Sequence, residues 1–319
     1  MKYHQLPKID LIADGISDPR NVPALLACAE MFQIPCFFRD RYGLAAKIKE
    51  SGQQIKLADA PPLEVLRRDY DLILGVETSE KAQNIFDYLP PQEARIALVV
   101  GNERFGLDRR LARIADHFLE IPMCYKHFTL NVVSAAAAAL YQIMYARARG
   151  RAGGMGKCSH RPEVILLNPV DSAELGSSLR TAWALGWHSV CLSDQHKVWY
   201  TKDRSILEQG RGAARRHKNP IKVRPIDLNL PIQIFDVGIL VTYAGGEVPL
   251  WKAELPLWKK SCAVIFPDEI SPVSPESLEC ESIAKSFLQV FLDTPALPQK
   301  PYFRLLCSIG LTEVFRWIS

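Results

Sequence analysis

No apolar run in this 319-residue chain is long enough to cross a bilayer. The longest candidate, Ser134 to Tyr145, is rich in alanine and is interrupted by Gln142. Met1 to Asp10 carries charges and Pro7 where a secretory leader would need an apolar stretch. The eight cysteines (Cys28, Cys36, Cys124, Cys158, Cys191, Cys262, Cys280 and Cys307) are scattered without a CxxC pair. That argues against both a zinc site and a secreted disulfide framework. The GxSxG elbow of the α/β hydrolases is missing, as is the GxxxxGK loop, closed by serine or threonine, that cradles nucleotide phosphates. His117, His127, His160, His188, His196 and His217 fall at no metal-ligand spacing, so no metal is expected. With 48% hydrophobic and 23% charged residues, the expectation is a soluble cytoplasmic protein large enough for two ordinary domains.

The net charge of +4 says less than its distribution. Between Lys202 and Arg224 stand Lys202, Arg204, Arg211, Arg215, Arg216, Lys218, Lys222 and Arg224, opposed only by Asp203 and Glu208. A second basic group, Arg147, Arg149, Arg151 and Lys157, lies just past mid-chain. Such clusters suit a polyanion, because each neutralised phosphate releases counterions. A merely solvated surface is the plainer origin of a charge run.

The stretch Ala148 to Pro162 is rich in glycine and basic residues and splits the chain into two halves of similar length. The boundaries expected are a first domain over 1–150, a linker over 151–157 and a second domain over 158–319. Each half carries apolar, strand-like runs in the same order: Ile9–Ala13, Cys36–Phe38, Leu72–Glu77 and Ala97–Glu103, then Val164–Leu167, Val190–Leu192, Ile239–Tyr243 and Ala263–Glu269. Helical stretches at Pro23–Phe32 and Leu175–Leu185 occupy matching places. Short continuous apolar runs alternating with helices predict α/β domains with parallel sheets buried on both faces.

The most informative segment is Val99 to Tyr145. A strand ends at Val100, and Gly101-Asn102-Glu103-Arg104-Phe105-Gly106-Leu107 turns back from it. Gly101 and Gly106 let the backbone approach a ligand or adopt positive φ. A loop over Glu120–His127 then leads to a long alanine-rich helix from about Leu130, with Thr129 at the position of an N-cap and Asn131 in the first turn. Loops at the carboxyl ends of parallel strands are where α/β folds bind ligands.

These residues resemble the later motifs of the SPOUT superfamily, specifically the SpoU/TrmH-type RNA ribose methyltransferases. There the pattern runs Gly-Asn-Glu-Gly-x-Gly-Leu, then Ile-Pro-Met, then Ser-Leu-Asn-Val-Ser. Here it reads Gly101 to Leu107, then Ile121-Pro122-Met123, then Thr129-Leu130-Asn131-Val132-Val133, with Arg104 in place of a glycine and Thr129 in place of the serine. The resemblance implies a trefoil knot in the first half and S-adenosyl-L-methionine as methyl donor. It assigns Val100, Gly101, Asn102, Glu103, Gly106, Ile121, Pro122, Met123, Thr129, Leu130 and Asn131 to the cofactor.

The family's first motif, Asn-Pro-x-Asn-x-Gly followed by Arg-Thr-Ala, is divided between the halves. The first half keeps its asparagine as Asn21, with Ala27 where the arginine belongs. The second keeps the arginine as Arg180, with Glu174 where the asparagine belongs. The resemblance therefore implies one composite site built from Glu103, Thr129, Asn131 and Asn21 together with Arg180, the second half being degenerate. Arg180 on a phosphate and Glu103 or a water as proton acceptor are the roles expected. Read without the resemblance, Arg180 could simply pair with Glu174 on its own helix. The implied partner is RNA, tRNA or rRNA, contacted by Arg204, Arg211, Arg215, Arg216 and Lys218. One chain would mimic a dimer, with a homodimer as the other assembly. The alternative reading is a SPOUT-shaped RNA-binding protein that has lost catalysis.

Overall fold

In the computed structural model, which describes residues 7–125, 128–148, 161–201, 219–228, 235–256, 261–268 and 283–319, the apolar runs become parallel strands. The expected linker at 151–157 lies outside the described residues. Two compact units are present. One comprises Met1–Pro122, Val132–Gly150 and Thr294–Lys300; the other comprises Met123–Asn131, Arg151–Asp293 and Pro301–Ser319.

In the first unit the strands are β1 (Lys8–Asp14), β2 (Cys36–Arg39), β3 (Leu72–Val76), β4 (Gln83–Asn84), β5 (Arg95–Val100) and β6 (His117–Glu120). They form one parallel sheet in the order β2-β1-β5-β3-β6-β4. All residues of β1 and β5 are buried except the first of each. Side chains alternate across a sheet, so both faces must be covered. Helices α1 (Val22–Phe32), α2 (Leu44–Glu50), α3 (Leu63–Asp69), α4 (Arg109–Ile114) and α5 (Val132–Tyr145) belong to this unit, with α1 packed on α5. α5 has small or apolar residues on nearly every side and is buried almost all round, as such a composition requires. Thr294–Lys300 joins this unit through Ala296, whose N–H donates to the Met31 carbonyl at 3.1 Å.

The second unit holds β7 (Glu163–Leu167), β8 (Ser189–Ser193), β9 (Lys222–Pro225), β10 (Val237–Thr242), β11 (Val248–Pro249), β12 (Cys262–Pro267) and β13 (Phe287–Phe291). Its parallel sheet runs β11-β13-β10-β12-β7-β8-β9. Helices α6 (Ser172–Ala184) and α7 (Phe303–Ile318) pack on each other. Leaving out the edge strand β9, the wiring repeats that of the first sheet strand for strand.

A detail at the end of the first strand repeats as well. Gly15 follows β1 at φ +67° and donates its N–H to the Arg39 carbonyl at 2.9 Å. Asn168 follows β7 at φ +51° and donates to the Ser193 carbonyl at 2.8 Å. Asparagine is among the few side chains that tolerate this left-handed geometry, and its Oδ1 accepts from the Ser193 hydroxyl at 2.9 Å.

Candidate functional site

Three loops leave the carboxyl ends of β1, β3 and β5, and they are fastened to one another by carboxylates. Glu103, in the loop after β5, accepts from the Ser17 N–H at 3.0 Å, the Ser17 hydroxyl at 2.9 Å and the Asp18 N–H at 3.2 Å. It also accepts from the side-chain amides of Asn21 at 2.9 Å and Asn102 at 3.3 Å. Its lone-pair directions are thus occupied by donors from the loop after β1. Glu103 positions that loop. Asn21 is buried and serves the same junction.

The turn itself is closed by Asn102 and Gly106, which exchange backbone hydrogen bonds of 2.9 and 3.0 Å. The Asn102 side chain works in both directions. Its amide donates to the Gly15 carbonyl at 2.6 Å, and its oxygen accepts from the N–H groups of Arg104 at 2.8 Å and Phe105 at 3.1 Å. Gly106 sits at φ +65°, and Glu77 at the end of β3 accepts from the Leu107 N–H at 2.9 Å. A Cβ on Gly101 would meet the Gly106 carbonyl carbon at 2.3 Å, and one on Gly106 would meet Glu77 Oε2 at 2.1 Å. Gly101→Ala is accordingly expected to cost about 1–3 kcal/mol, as overpacking does, read as a lower urea midpoint at unchanged m-value.

Glu77 is a residue that the motifs did not single out. The available signal was an acidic residue at the carboxyl end of a buried parallel strand. Asp14 is another. Fully buried at the end of β1, it accepts from Arg39 at 3.1 Å, Arg41 at 3.4 Å and the Asp108 N–H at 2.9 Å.

Val100 and Ile121 are buried in the first unit, with Pro122 beside Ile121. Met123, Thr129, Leu130 and Asn131 group with the second unit, where the Cys124 N–H donates to the Ala184 carbonyl at 2.9 Å. The Tyr125 ring stacks on Trp183 at 4.8 Å and 11°. Phe128 meets Trp183 edge-on at 5.9 Å. Arg180 completes this attachment: its Nε donates to the Thr129 carbonyl, and its guanidinium also donates to the Thr129 hydroxyl at 2.5 Å. With Thr129 so engaged, α5 starts at Val132 and the residue before it is Asn131, not Thr129 as its sequence position implied.

Arg180 does not pair with Glu174, as one reading of the sequence allowed. Glu174 instead binds Arg304, with Nε to Oε1 at 2.7 Å, and accepts from the Arg304 N–H at 3.1 Å. Arg180 has no carboxylate within ion-pair distance among the described residues. Burial alone pulls its pKa down to about 10, which leaves the half-buried guanidinium protonated at neutral pH.

The expected RNA contacts Arg204, Arg211, Arg215, Arg216 and Lys218 lie outside the described residues. Among the described residues no three His, Cys, Asp or Glu side chains gather as metal ligands. No helix among them is long and apolar enough to cross a membrane.

Comparison with known proteins places the first half. Residues 8–141 match the sequence model of the SpoU rRNA Methylase family. A 23S rRNA (guanosine-2′-O-)-methyltransferase RlmB of Yersinia pestis is 28% identical over 148 residues, 43% of this chain and 59% of that protein. The chain therefore spans about three fifths of the length of this curated relative. Among solved structures, the SpoU methyltransferase AviRb from Streptomyces viridochromogenes, in complex with AdoMet, is 20% identical at a TM-score of 0.37, covering 46% of this chain and 60% of that one. An AdoMet-bound rRNA methyltransferase from Sinorhizobium meliloti is 18% identical at a TM-score of 0.36, covering 46% and 59%. The likeness to the SpoU rRNA Methylase family thus covers residues 8–141, less than half of the chain.

Proposed function

We propose that this protein is an S-adenosylmethionine-dependent RNA methyltransferase that methylates a ribose 2′-hydroxyl of tRNA or rRNA. The observation that carries the reading is the turn at 101–107. Its two glycines leave no room for side chains, and its Glu103 and Asn102 hold it against the loop after β1, within the segment that matches the SpoU methylases.

The residues present suit the cofactor. Ile121 is buried, yet its backbone N–H and C=O make no hydrogen bond to another described residue, so they are available to an adenine edge. Val100, Gly101, Asn102, Glu103 and Gly106, with Ile121 to Met123 and Thr129 to Asn131, would hold the donor's adenosyl and amino-acid parts in a knotted backbone. When bound, S-adenosylmethionine supplies an electrophilic sulfonium methyl group.

The chain's own part is positioning, which can be worth effective molarities of roughly 10⁵ M or more. Glu103 and Asn21 stiffen the loops. Arg180 takes the phosphate beside the target ribose, since a guanidinium with this pKa is a poor base and a good hydrogen-bond donor to an anion. The ribose proton passes to a water or to Glu103.

Two measurements test this reading. Calorimetry with S-adenosylmethionine is expected to show binding. Mass spectrometry of digested cellular RNA, with and without the gene, is expected to show a 2′-O-methylated nucleoside disappear. RNA binding without cofactor binding would assign the protein to the non-catalytic alternative.

A further inference from the structure

The turn at 101–107 carries an aromatic ring that nothing in its own fold requires. Phe105 is 71% exposed, more than any other large hydrophobic residue described, and stands between Arg104 and Gly106 at the tip. A single exposed apolar side chain is ordinary. This one is held in place, because its own N–H and that of Arg104 are tied to the Asn102 side chain at 3.1 and 2.8 Å. A ring on a fixed backbone loses little freedom on binding.

The ring has aromatic and cationic neighbours. Tyr42 lies 6.2 Å from it, centroid to centroid, at 34°, a tilted pair in which Tyr42 is half-buried and Phe105 exposed. The Arg41 guanidinium sits 5.3 Å from the Tyr42 centroid. Arg104, Arg109 and Arg110 are exposed along the same stretch of chain. Asp14 is shared by Arg39 and Arg41, and Arg41 also binds Asp108 at 2.9 Å, so the excess positive charge here is that of Arg104, Arg109 and Arg110, while Arg41 is held fixed beside Tyr42. Tyr42 also reaches the loop that Glu103 fastens, since a Cβ on Gly15 would touch its ring at 3.0 Å. Aromatic faces flanked by arginines, tolerant of any base, are the chemistry of single-strand recognition.

We propose that Phe105 and Tyr42, flanked by Arg41 and Arg104, form a stacking surface for an unpaired nucleobase of the RNA substrate. The proposal rests on the reading of the protein as an RNA methyltransferase and adds that the substrate presents a single-stranded nucleotide at this turn. The surface contributes affinity for looped RNA and no chemistry.

The test uses the full chain with a 12-nucleotide single-stranded RNA and an RNA duplex of the same length, at one fixed salt concentration. Phe105→Ala is expected to weaken single-strand binding about tenfold, as loss of one base–aromatic stack does. Duplex affinity and S-adenosylmethionine affinity are expected to stay within twofold of the parent. Phe105→Trp should restore single-strand binding, with the introduced indole fluorescence quenched by the RNA. Unchanged single-strand affinity in Phe105→Ala, or an indole that RNA does not quench, overturns the proposal and leaves the methyltransferase reading standing, the result expected if the patch serves a protein partner. A parent protein that binds neither S-adenosylmethionine nor RNA removes both.

Discussion

Arg180→Ala is expected to reduce methyl transfer by about 10²-fold or more while S-adenosylmethionine affinity, measured by calorimetry, stays within about twofold. The magnitude follows from what the guanidinium lacks. It is withdrawn from water far enough to bring its pKa to about 10, yet it has no carboxylate partner among the described residues and is held only by Thr129. A desolvated, preorganised cation is worth far more to an incoming phosphate than an exposed one, and deleting a single preorganised donor typically removes 10² to 10³ in rate. Arg180→Lys should recover only part of the activity, since an ammonium keeps the charge but loses the planar fork. Because the guanidinium stays charged well below pH 10, the parent's pH–rate profile between about 6 and 9 should show no step from this residue. Loss of cofactor binding together with turnover would instead mean that Arg180 acts by holding Thr129 and the chain beside it. The RNA contact would then have to come from elsewhere.

How far the sequence reveals this arrangement depends on the range of the forces that build it. β1, β5, β7 and β12 were legible because strands covered on both faces must be apolar throughout, and a run such as Ile9–Ala13 is too short and too apolar for an amphipathic helix. α2 and α3 were not. Each has seven residues, and only Leu44, Ile48 and Leu66 among them are buried, too few to set a helical period. The two-residue strands β4 and β11 exist only because β6 and β13 offer an edge to pair with. At the site, the resemblance to the SpoU/TrmH motifs pointed to Glu103, Asn21 and Arg180, but their partners were hidden. Glu103 is satisfied by residues more than 80 positions earlier, and Glu174 by Arg304, 130 positions later. Proximity made by the fold, unlike a period or a motif, leaves no local trace. That is why the sequence shows no sign of the donors that hold Glu103.

The Glu174–Arg304 pair should be the most costly single contact to break in the second unit. Arg304→Met is expected to destabilise the protein by about 3–5 kcal/mol above pH 7, the usual cost of leaving one member of a buried pair alone. Both side chains are almost wholly buried, and Arg304 is the counter-charge nearest to Glu174. Burial raises the Glu174 carboxyl from 4.5 to about 7, with Asp171 and Asp268 adding to the rise and Arg304 opposing it. The sign of the pH dependence follows. Between about pH 4.5 and 7 the folded chain holds a proton on Glu174 that the unfolded chain releases, so unfolding free energy falls as pH rises through that window. Below it the carboxyl is neutral in both states and the contribution is intact. Removing Arg304 pushes the carboxyl higher still. The loss should therefore be larger at pH 8, where the folded chain must bury a carboxylate or take up a proton that the unfolded chain lacks, than at pH 5, where the buried carboxyl is protonated with or without Arg304. Urea titrations at the two pH values measure the difference. The double variant Glu174→Gln with Arg304→Met should recover much of the loss and flatten the dependence, because the charge that burial penalises is gone. An equal loss for Arg304→Met at both pH values would place the cost in packing of the arginine stem against Tyr302, whose ring centroid lies 5.8 Å from the guanidinium, and not in the charge it neutralises.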